Sequence, residues 1–278
     1  MEHNYLANMN SLFDLTGKVA IVTGGSGILG RYFCSSLAQF GANVVVADIN
    51  EESARDVSQS LNNQFGNKTI ALKLDLTNEE SVVEVVNKTV DKFGKIDILH
   101  NNAATKTEKI EKMFDSVEDF DMEEWDKIFK VNIDGMFVMA RNVARQMIDQ
   151  DIAGSIIQTS SIYGHMSPDQ RIYKGSEYMG VEINSPAVYS ASKAGVIGLT
   201  KYLSTYWAKN NIRVNTISPG GVESGQNQVF KDNYSNRIPM GRMANAQEMV
   251  GALIFLASDA SSYVTGQNLL VDGGLSAW

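Results

Sequence analysis

Residues 18–30, KVAIVTGGSGILG, form a short β-branched apolar run that leads directly into a glycine-rich turn. The run at 18–23 predicts a fully buried strand, and a helix follows the turn to about Phe40. Glycines between a strand and a helix let backbone N–H groups reach an anionic pyrophosphate at the helix N-terminus. The stretch therefore predicts a dinucleotide-binding turn, with a plain tight turn as the alternative interpretation.

The same alternation of strand and helix continues along the chain. Continuous apolar strands separated by helices imply a parallel sheet that is covered on both faces. We therefore predict an α/β fold with a Rossmann-type doubly wound parallel sheet, in a single domain with helices on both faces. Further strands are predicted at 43–47, 69–74, 97–100, 155–159, 213–217 and 268–271, and further helices at 51–65, 79–93, 123–150, 187–209 and 246–256.

The pattern divides the chain into an N-terminal extension at 1–14 and a single dinucleotide-binding domain at 15–278. Two long irregular stretches interrupt the domain: an insertion at about 163–186 and an expected lid at about 218–242. Both follow strands, on the edge where doubly wound sheets bind ligands, and loops of this length are usually functional. We therefore expect both stretches to border the binding site.

The composition of the 278 residues restricts the partners and the compartment. A net charge of −8, with acids and bases spread along the chain, counts against a nucleic-acid partner. The single cysteine, Cys34, excludes an internal disulfide and fits a reducing compartment. The start lacks a signal-peptide pattern, and no apolar run is long enough for a membrane span. We expect a cytoplasmic protein without a membrane partner and, because the three histidines form no ligand cluster, without a metal.

An acidic residue, Asp48, stands at the end of the second predicted strand, 18 positions after Gly30. A carboxylate at this place accepts hydrogen bonds from the adenosine ribose hydroxyls and repels a 2′-phosphate. Asp48 therefore favours NAD over NADP as the cofactor. A solvated acid at a strand end is the alternative interpretation.

Tyr189 and Lys193 lie four positions apart on one face of the predicted helix at 187–209. A phenol has a reference pKa of about 10 and is a poor acid or base at neutral pH. A neighbouring ammonium favours the phenolate and lowers that pKa, so the pair suits proton transfer. An ordinary exposed helix pair is the alternative, and the surrounding motifs decide between the two.

A series of short motifs runs in order through residues 15–274: the turn at 23–30, Asp48, Asn101-Asn102-Ala103-Ala104, Asn132, Ser160-Ser161, Tyr189-x-x-x-Lys193 and Pro219-Gly220. Each motif alone is weak, whereas the ordered set is specific. The set resembles the short-chain dehydrogenase/reductase family, and the resemblance covers nearly the whole chain.

The resemblance implies a role for each member of a catalytic set. Tyr189 would donate or remove the proton on the substrate oxygen while hydride passes to or from the nicotinamide. Lys193 would bind the nicotinamide ribose and lower the pKa of Tyr189. Ser161 would hydrogen-bond the reacting oxygen, and Asn132 would anchor a water that joins Lys193 to solvent. The implied reaction is general acid/base catalysis with a hydride carried by the cofactor.

The resemblance also implies the residues that contact the cofactor. Ile28 stands where the family usually has its middle glycine, so the sequence leaves open which glycine lies behind the pyrophosphate. The expected cofactor-binding residues are Gly24, Ser26, Gly27, Ile28, Leu29, Gly30, Asp48, Ile49, Asp75, Leu76, Asn102, Ala103, Ala104, Tyr189, Lys193, Pro219, Gly220, Val222 and Ser224.

Ser161 and Tyr189 stand 28 positions apart, a wider spacing than is usual in the family, and the insertion at 163–186 accounts for the extra length. Its polar and charged residues suit a hydroxylated or anionic substrate, with a subunit contact or a tolerated surface loop as the alternative. The insertion also resembles family members linked to sugar metabolism and to surface-glycan or flagellin modification.

We therefore expect an NAD(H)-dependent oxidoreductase that transfers hydride between nicotinamide and a secondary alcohol or ketone, with a sugar, polyol or sugar derivative as substrate. Two alternatives stay open: an NADPH-dependent 3-oxoacyl reductase and a non-catalytic cofactor-binding protein. The resemblance further implies a homotetramer or homodimer, because the helices after Asn132 and around Tyr189 commonly pack against a second subunit in this family.

Overall fold

The computed structural model describes residues 9–66, 69–105 and 110–278, whose main feature is a seven-stranded sheet. The strands of the described residues are β1 (Val19–Thr23), β2 (Asn43–Asp48), β3 (Ile70–Lys73), β4 (Ile98–Asn101), β5 (Ser155–Thr159), β6 (Glu177–Tyr178), β7 (Val181–Glu182), β8 (Arg213–Pro219) and β9 (Asn268–Val271). The large sheet has the order β3-β2-β1-β4-β5-β8-β9 with every neighbouring pair parallel. Strands β6 and β7 form a separate antiparallel hairpin.

Helices cover both faces of this sheet. They are α1 (Ile28–Gln39), α2 (Glu51–Phe65), α3 (Glu79–Phe93), α4 (Ile110–Met113), α5 (Met122–Phe129), α6 (Met136–Asp149), α7 (Ile162–His165), α8 (Ala187–Trp207), α9 (Gln228–Ser235) and α10 (Val250–Ala257). Apolar residues of α1, α2 and α10 form the core on one face, and those of α3, α6 and α8 form the core on the other. The predicted α/β fold with a doubly wound parallel sheet is confirmed.

Local capping explains why the bounds of α2 and α3 agree with the sequence prediction. Asn50 and Asn78 precede these helices, and each side chain accepts a hydrogen bond from a first-turn N–H group. Gly66 and Gly94 follow them in the left-handed conformation, which ends a helix at little steric cost for glycine. Start and stop signals therefore stand in the sequence itself.

The helix predicted at 123–150 is not a single α-helix. It consists of α5, a π-helical segment at Lys130–Gly135, and α6. Gly135 ends the π segment, where an added Cβ would lie 2.7 Å from the Cβ of Leu76. The predicted helix is present with nearly these bounds, and its middle part is π-helical, which residue periodicity does not record. Single π turns within helices are frequent at functional sites.

The stretches 163–186 and 218–242, which together we call the cap, are more regular than their sequences predicted. The first contains a 3₁₀ turn at Gln170–Tyr173 and the β6–β7 hairpin, and the second contains α9. Aromatic rings join the two: the centroids of Tyr173 and Phe230 are 5.4 Å apart, and those of Phe230 and Tyr234 are 5.5 Å apart. The cap thus has a small hydrophobic core of its own.

Polar contacts also hold the two stretches of the cap together. The Asn227 side chain donates to the Ser176 hydroxyl at 2.8 Å and to the backbone carbonyl of Glu177 at 2.9 Å. Arg237 forms an ion pair with Asp169 across the same boundary. Because these bonds join residues distant in sequence, the insertion is packed onto the second stretch rather than looping freely over it.

The N-terminal extension predicted at 1–14 lies partly outside the described residues, which begin with a 3₁₀ turn at Met9–Phe13. Within the described ranges, no helix combines the length and the apolar character needed to span a bilayer.

Candidate active site

The carboxyl ends of the parallel strands meet at one edge of the sheet, and the predicted site residues follow them. From β1 the chain crosses to β2 on one side, whereas β4 lies on the other side of β1. This change of direction opens a crevice between β1 and β4. The Thr23 hydroxyl joins the two strand ends, accepting the backbone N–H groups of Asn102 and Ala103 at 3.0 Å each. The Asn102 side chain also donates to the carbonyl of Gly24 at 3.3 Å.

Two glycines of the turn are required by its geometry. Gly24 has a φ of +64°, and an added Cβ would lie 2.8 Å from the Cα of Ala103. An added Cβ at Gly30 would lie 2.0 Å from the carbonyl oxygen of Gly24. Helix α1 begins at Ile28, and Gly27 before it has no side chain to cap the first-turn N–H groups. Gly24 and Gly30 therefore make close approaches within the protein that a larger residue would prevent.

A carboxylate stands beside the turn, at the end of β2. Asp48 accepts the backbone N–H of Ser26 at 3.0 Å through Oδ2 and that of Asn50 at 3.1 Å through Oδ1. Each carboxylate oxygen has a second lone pair for another donor. Arg31 is exposed and its Nε donates to the carbonyl of Ser26 at 2.7 Å. Ile49, the next residue after the carboxylate, is exposed.

The other predicted cofactor residues lie along the same sheet edge. Val222 pairs with Ala244 in an isolated β-bridge, which fixes the first part of the segment after β8. These residues are Asp75 and Leu76 after β3, Ala104 after β4, and Pro219, Gly220, Val222 and Ser224 at and after the end of β8.

The crevice fits a nicotinamide dinucleotide. The start of α1, which no side chain caps, favours an anion, and Asp48 offers acceptors for ribose hydroxyls. Among the described residues, no group of three His, Cys, Asp or Glu side chains is arranged to hold a metal ion.

Lys193 is attached to the end of β5 through two hydrogen bonds. Its Nζ donates to the carbonyl of Thr159 at 3.0 Å, and its own carbonyl accepts the Ser160 hydroxyl at 2.6 Å. The side chain is buried, with Nζ 6.0 Å from the centroid of the Tyr189 ring. The lysine therefore lies between the sheet edge and the tyrosine.

Ser161 joins the tyrosine to the start of α7. Its hydroxyl accepts the backbone N–H of Tyr163 at 3.2 Å, which makes it the N-cap of that short helix. Its side chain is also hydrogen-bonded to Tyr189. The two predicted catalytic hydroxyls are thus adjacent, although 28 positions separate them in the sequence.

Asn132 lies fully buried in the π segment and connects it to α8. Its Oδ1 accepts the backbone N–H of Thr105 at 2.9 Å, and its Nδ2 donates to the Ser192 hydroxyl at 3.4 Å. The Ser192 hydroxyl in turn donates to the carbonyl of Tyr189 at 2.9 Å. All four predicted catalytic residues therefore belong to one connected cluster.

The electrostatics of the pair differ from the expectation based on spacing alone. Burial raises the pKa of Tyr189, and the hydrogen bond with Ser161 opposes that rise. Burial also lowers the pKa of Lys193 to about 8. Burial is the larger of the two effects on the tyrosine, so the pKa of Tyr189 lies above its usual value.

Sequence comparison identifies the family of proteins to which these residues belong. A family model described as "Enoyl-(Acyl carrier protein) reductase" matches residues 24–276. A 3-oxoacyl-[acyl-carrier-protein] reductase of Chlamydia muridarum is 35% identical over 274 residues, with 96% of this chain and 100% of the relative covered. The chain belongs to the short-chain dehydrogenase/reductase family.

Solved structures of similar proteins carry either nicotinamide cofactor. A gluconate 5-dehydrogenase from Burkholderia cenocepacia, in complex with NADP and tartrate, is 31% identical with a TM-score of 0.85, covering 98% of this chain and 100% of its own. A short-chain dehydrogenase from Leptospira borgpetersenii with bound NAD+ is 34% identical with a TM-score of 0.84, covering 99% of both chains. This chain is an NAD(P)-dependent short-chain dehydrogenase/reductase acting on CH–OH groups, so the non-catalytic alternative is set aside.

Gly164 is a site residue of this dehydrogenase/reductase that the sequence analysis missed. An added Cβ would lie 2.5 Å from the backbone carbonyl carbon of Lys193 and 2.7 Å from the Ser160 hydroxyl. The glycine thus allows α7 to touch α8 at the lysine. Its position three residues after Ser161 was the only signal in the sequence, and that spacing alone does not specify a contact with α8.

A cluster of three phenols also lies over the site, and no motif in the sequence indicated it. Tyr163 of α7 is hydrogen-bonded to Tyr173 of the insertion and to Tyr234 of α9, and burial raises the pKa of all three. An added Cβ at Gly221 would lie 2.3 Å from the Tyr234 ring. The insertion and the segment after β8 therefore meet beside Ser161 through neutral hydroxyl groups.

The contact at Gly164 generates a prediction. Substitution Gly164→Ala forces α7 away from α8, so we expect the free energy of unfolding to fall by about 1–3 kcal/mol. Because Lys193 and Tyr189 lie on α8, we expect kcat to fall at least about tenfold. Urea unfolding and steady-state turnover of purified protein measure the two effects.

Gly251→Ala is the matched control. Gly251 lies within α10, and an added Cβ there meets nothing within 4 Å among the described residues. This substitution should leave turnover unchanged and raise the free energy of unfolding by roughly 0.5–1 kcal/mol. Equal turnover in both variants would contradict the role given to Gly164.

Proposed function

We propose that the enzyme is an NAD(H)-dependent oxidoreductase that interconverts a secondary alcohol and a ketone, with a sugar, polyol or sugar derivative as substrate. The observation that carries the proposal is the connected cluster of Asn132, Ser161, Tyr189 and Lys193 at the sheet edge beside the glycine turn. We also treat residues 15–278 as one catalytic domain, with the cap as part of its substrate site.

The residues of the cluster divide the work of alcohol oxidation. When bound, the nicotinamide accepts the hydride from the alcohol carbon. Tyr189 accepts the hydroxyl proton as the C–H bond breaks, and Ser161 donates a hydrogen bond to the oxygen that becomes the carbonyl. Ketone reduction reverses these transfers, with Tyr189 as the proton donor.

Lys193 and Asn132 prepare the tyrosine for this proton transfer. Lys193 lies close to the Tyr189 ring, and a charged ammonium there favours the phenolate. With a pKa near 8, most of that ammonium is charged at neutral pH, and its charge responds to groups bound next to it. Asn132 holds the backbone of Tyr189 through Ser192, which positions the tyrosine.

Asp48 supports NAD rather than NADP. A carboxylate at the end of β2 attracts ribose hydroxyls and repels a 2′-phosphate. Its oxygens already accept two backbone N–H groups, so its orientation is fixed before a cofactor arrives. Similar proteins bind either cofactor, as the NADP and NAD+ complexes above illustrate, so the preference rests on this residue.

The neutral phenols of the cap support a hydroxylated substrate. Tyr163, Tyr173 and Tyr234 present hydroxyl groups beside Ser161, and hydroxyls can both donate to and accept from a polyol.

An NADPH-dependent 3-oxoacyl reductase remains the second candidate, favoured by the similarity to the enzyme of Chlamydia muridarum. Asp48 and the net charge of −8 count against NADPH and against an acidic carrier protein.

We further propose that the enzyme forms a homodimer or homotetramer through α6 and α8. Four apolar side chains on these helices are exposed in the single chain: Phe137, Ile148, Tyr202 and Tyr206. Tyr202 and Tyr206 are 63% and 60% exposed and stack on each other, a patch that a second subunit would cover. Sedimentation velocity should give the mass of an oligomer, and a monomer at micromolar concentration would contradict this proposal.

A panel of polyols, sugars, sugar acids and acetoacetyl thioesters, each tested with both cofactors, examines the proposed function. We expect turnover of hydroxylated substrates with NAD, and we expect Tyr189→Phe to lower kcat about 100-fold or more while NADH still binds.

Asp48→Ser should raise the ratio of kcat/KM for NADP over NAD at least about tenfold, and Asp56→Ser, on the exposed side of α2, should not change it. Activity confined to thioesters with NADPH would instead establish the second candidate.

A further inference from the structure

A cavity of about 570 Å³ opens beside the active site, between the insertion and the segment before α5. Its walls carry aromatic and apolar side chains, among them Phe114, Phe120, Trp125 and Tyr173. The cavity has the volume and the mostly apolar lining that are typical of small-molecule sites. The insertion forms one whole side of it, so a chain without the insertion would have no such cavity.

The cavity adjoins the catalytic tyrosine. Pro186 and Ala187 line it, and the backbone carbonyl of Pro186 accepts the N–H of Tyr189 at 3.1 Å. Tyr173 forms part of its wall, while the hydroxyl of the same residue is hydrogen-bonded to Tyr163, two residues after Ser161. The cavity therefore lies next to the N-terminal turn of the helix that carries Tyr189.

Polar groups fix the wall of the cavity. The Gln170 side chain bonds both backbone groups of Ser185, donating to its carbonyl at 2.8 Å and accepting its N–H at 3.1 Å. Asn184 donates to the carbonyl of Phe114 at 2.7 Å. Its Oδ1 is buried without a hydrogen-bond partner in the described part of the chain. The amide nitrogens of Gln170 and Asn184 each have a second N–H group that a ligand hydroxyl can accept.

The charges around the cavity indicate a neutral ligand. The described charged residues that line it are Asp115, Glu182 and Lys174, two carboxylates against one ammonium. An acid or a phosphate would meet net repulsion there. Flat aromatic walls favour a ring, and the amide side chains favour hydroxyl groups on that ring.

We propose that this cavity is a distal substrate subsite for a neutral hydroxylated ring, which binds there while the reacting carbinol lies at Tyr189. The claim that the ring belongs to the substrate rests on the proposed function. A neutral ring with hydroxyl groups occurs both in alicyclic polyols and in sugars. Two probes distinguish these ligand classes: cyclohexane-1,2-diol for the first and a methyl hexoside for the second.

Binding is measured first, without cofactor, from the fluorescence of Trp125 in the cavity wall. We expect a saturable change with cyclohexane-1,2-diol or the methyl hexoside, whichever ring the site takes, and none with butane-2,3-diol, an open-chain diol with the same functional groups. Trp125→Phe should remove the signal, which assigns it among the three tryptophans. Equal affinity for ring and open-chain diols would overturn the proposal.

A substitution that fills the cavity is the second arm. Ala187 is exposed at the start of α8 and lines the cavity, so Ala187→Phe places a ring there. Ala208 is exposed just after the other end of the same helix, and Ala208→Phe is the control. We expect Ala187→Phe to weaken ring binding at least about tenfold, a loss of about 1.4 kcal/mol, and Ala208→Phe to leave it within about twofold. Unchanged ring binding in Ala187→Phe would overturn the proposal. If that variant also dissociated the oligomer, the cavity would be a subunit contact instead.

Turnover distinguishes failure of this inference from failure of the proposed function. With NAD, Ala187→Phe should raise KM for 1-(4-hydroxycyclohexyl)ethanol about tenfold and leave KM for butan-2-ol within about twofold. If KM in the variant rises equally for both alcohols, or for neither, the proposed subsite is wrong, while the proposed oxidoreductase activity is retained. If neither alcohol nor any polyol is oxidised by the native enzyme while ring binding persists, the proposed function is wrong.

Discussion

The catalytic arrangement depends on one joint, where the end of β5 is fastened to Lys193 on α8. The Ser160 hydroxyl donates a hydrogen bond to the Lys193 carbonyl, and the Lys193 Nζ donates one to the Thr159 carbonyl. Both the backbone and the side chain of the lysine are therefore fixed. Gly164 permits the contact, since any larger residue would occupy the space of the lysine backbone. A rigid sheet edge therefore sets the position of a long helix, and the helix sets the position of Tyr189.

Two further elements complete the site by contacting the same helix. The π segment brings the buried Asn132 against Ser192, and α7 brings Ser161 against Tyr189. Burying an ammonium lowers its pKa, as in Lys193, and ionisable groups perturbed in this way are frequent at functional sites. The glycine turn follows β1 and Asp48 ends β2, whereas the joint with α8 lies at β5, on the other side of β4.

The sequence predicted what depends on local pattern and left out what depends on distant contacts. Strand and helix periodicity, with caps at Asn50 and Asn78, sufficed for the sheet and for α2 and α3. The interruption at Lys130–Gly135 and the contact at Gly164 arise from packing between distant segments, which no spacing records. A four-residue spacing likewise identifies a neighbour of Tyr189 but not the depth of burial that raises its pKa. The insertion was read as an irregular stretch, whereas aromatic contacts with α9 give it order.

The most direct test of this account is kcat of the Ser160→Ala variant with its best alcohol substrate and NAD. Loss of the hydrogen bond to the Lys193 carbonyl should loosen the joint and lower kcat about tenfold, with KM for NAD within about twofold of the native value. Ser190→Ala, which removes a neighbouring hydroxyl that has no partner among the described residues, should keep native turnover. Native kcat in Ser160→Ala would contradict the claim that the joint between β5 and α8 positions Tyr189.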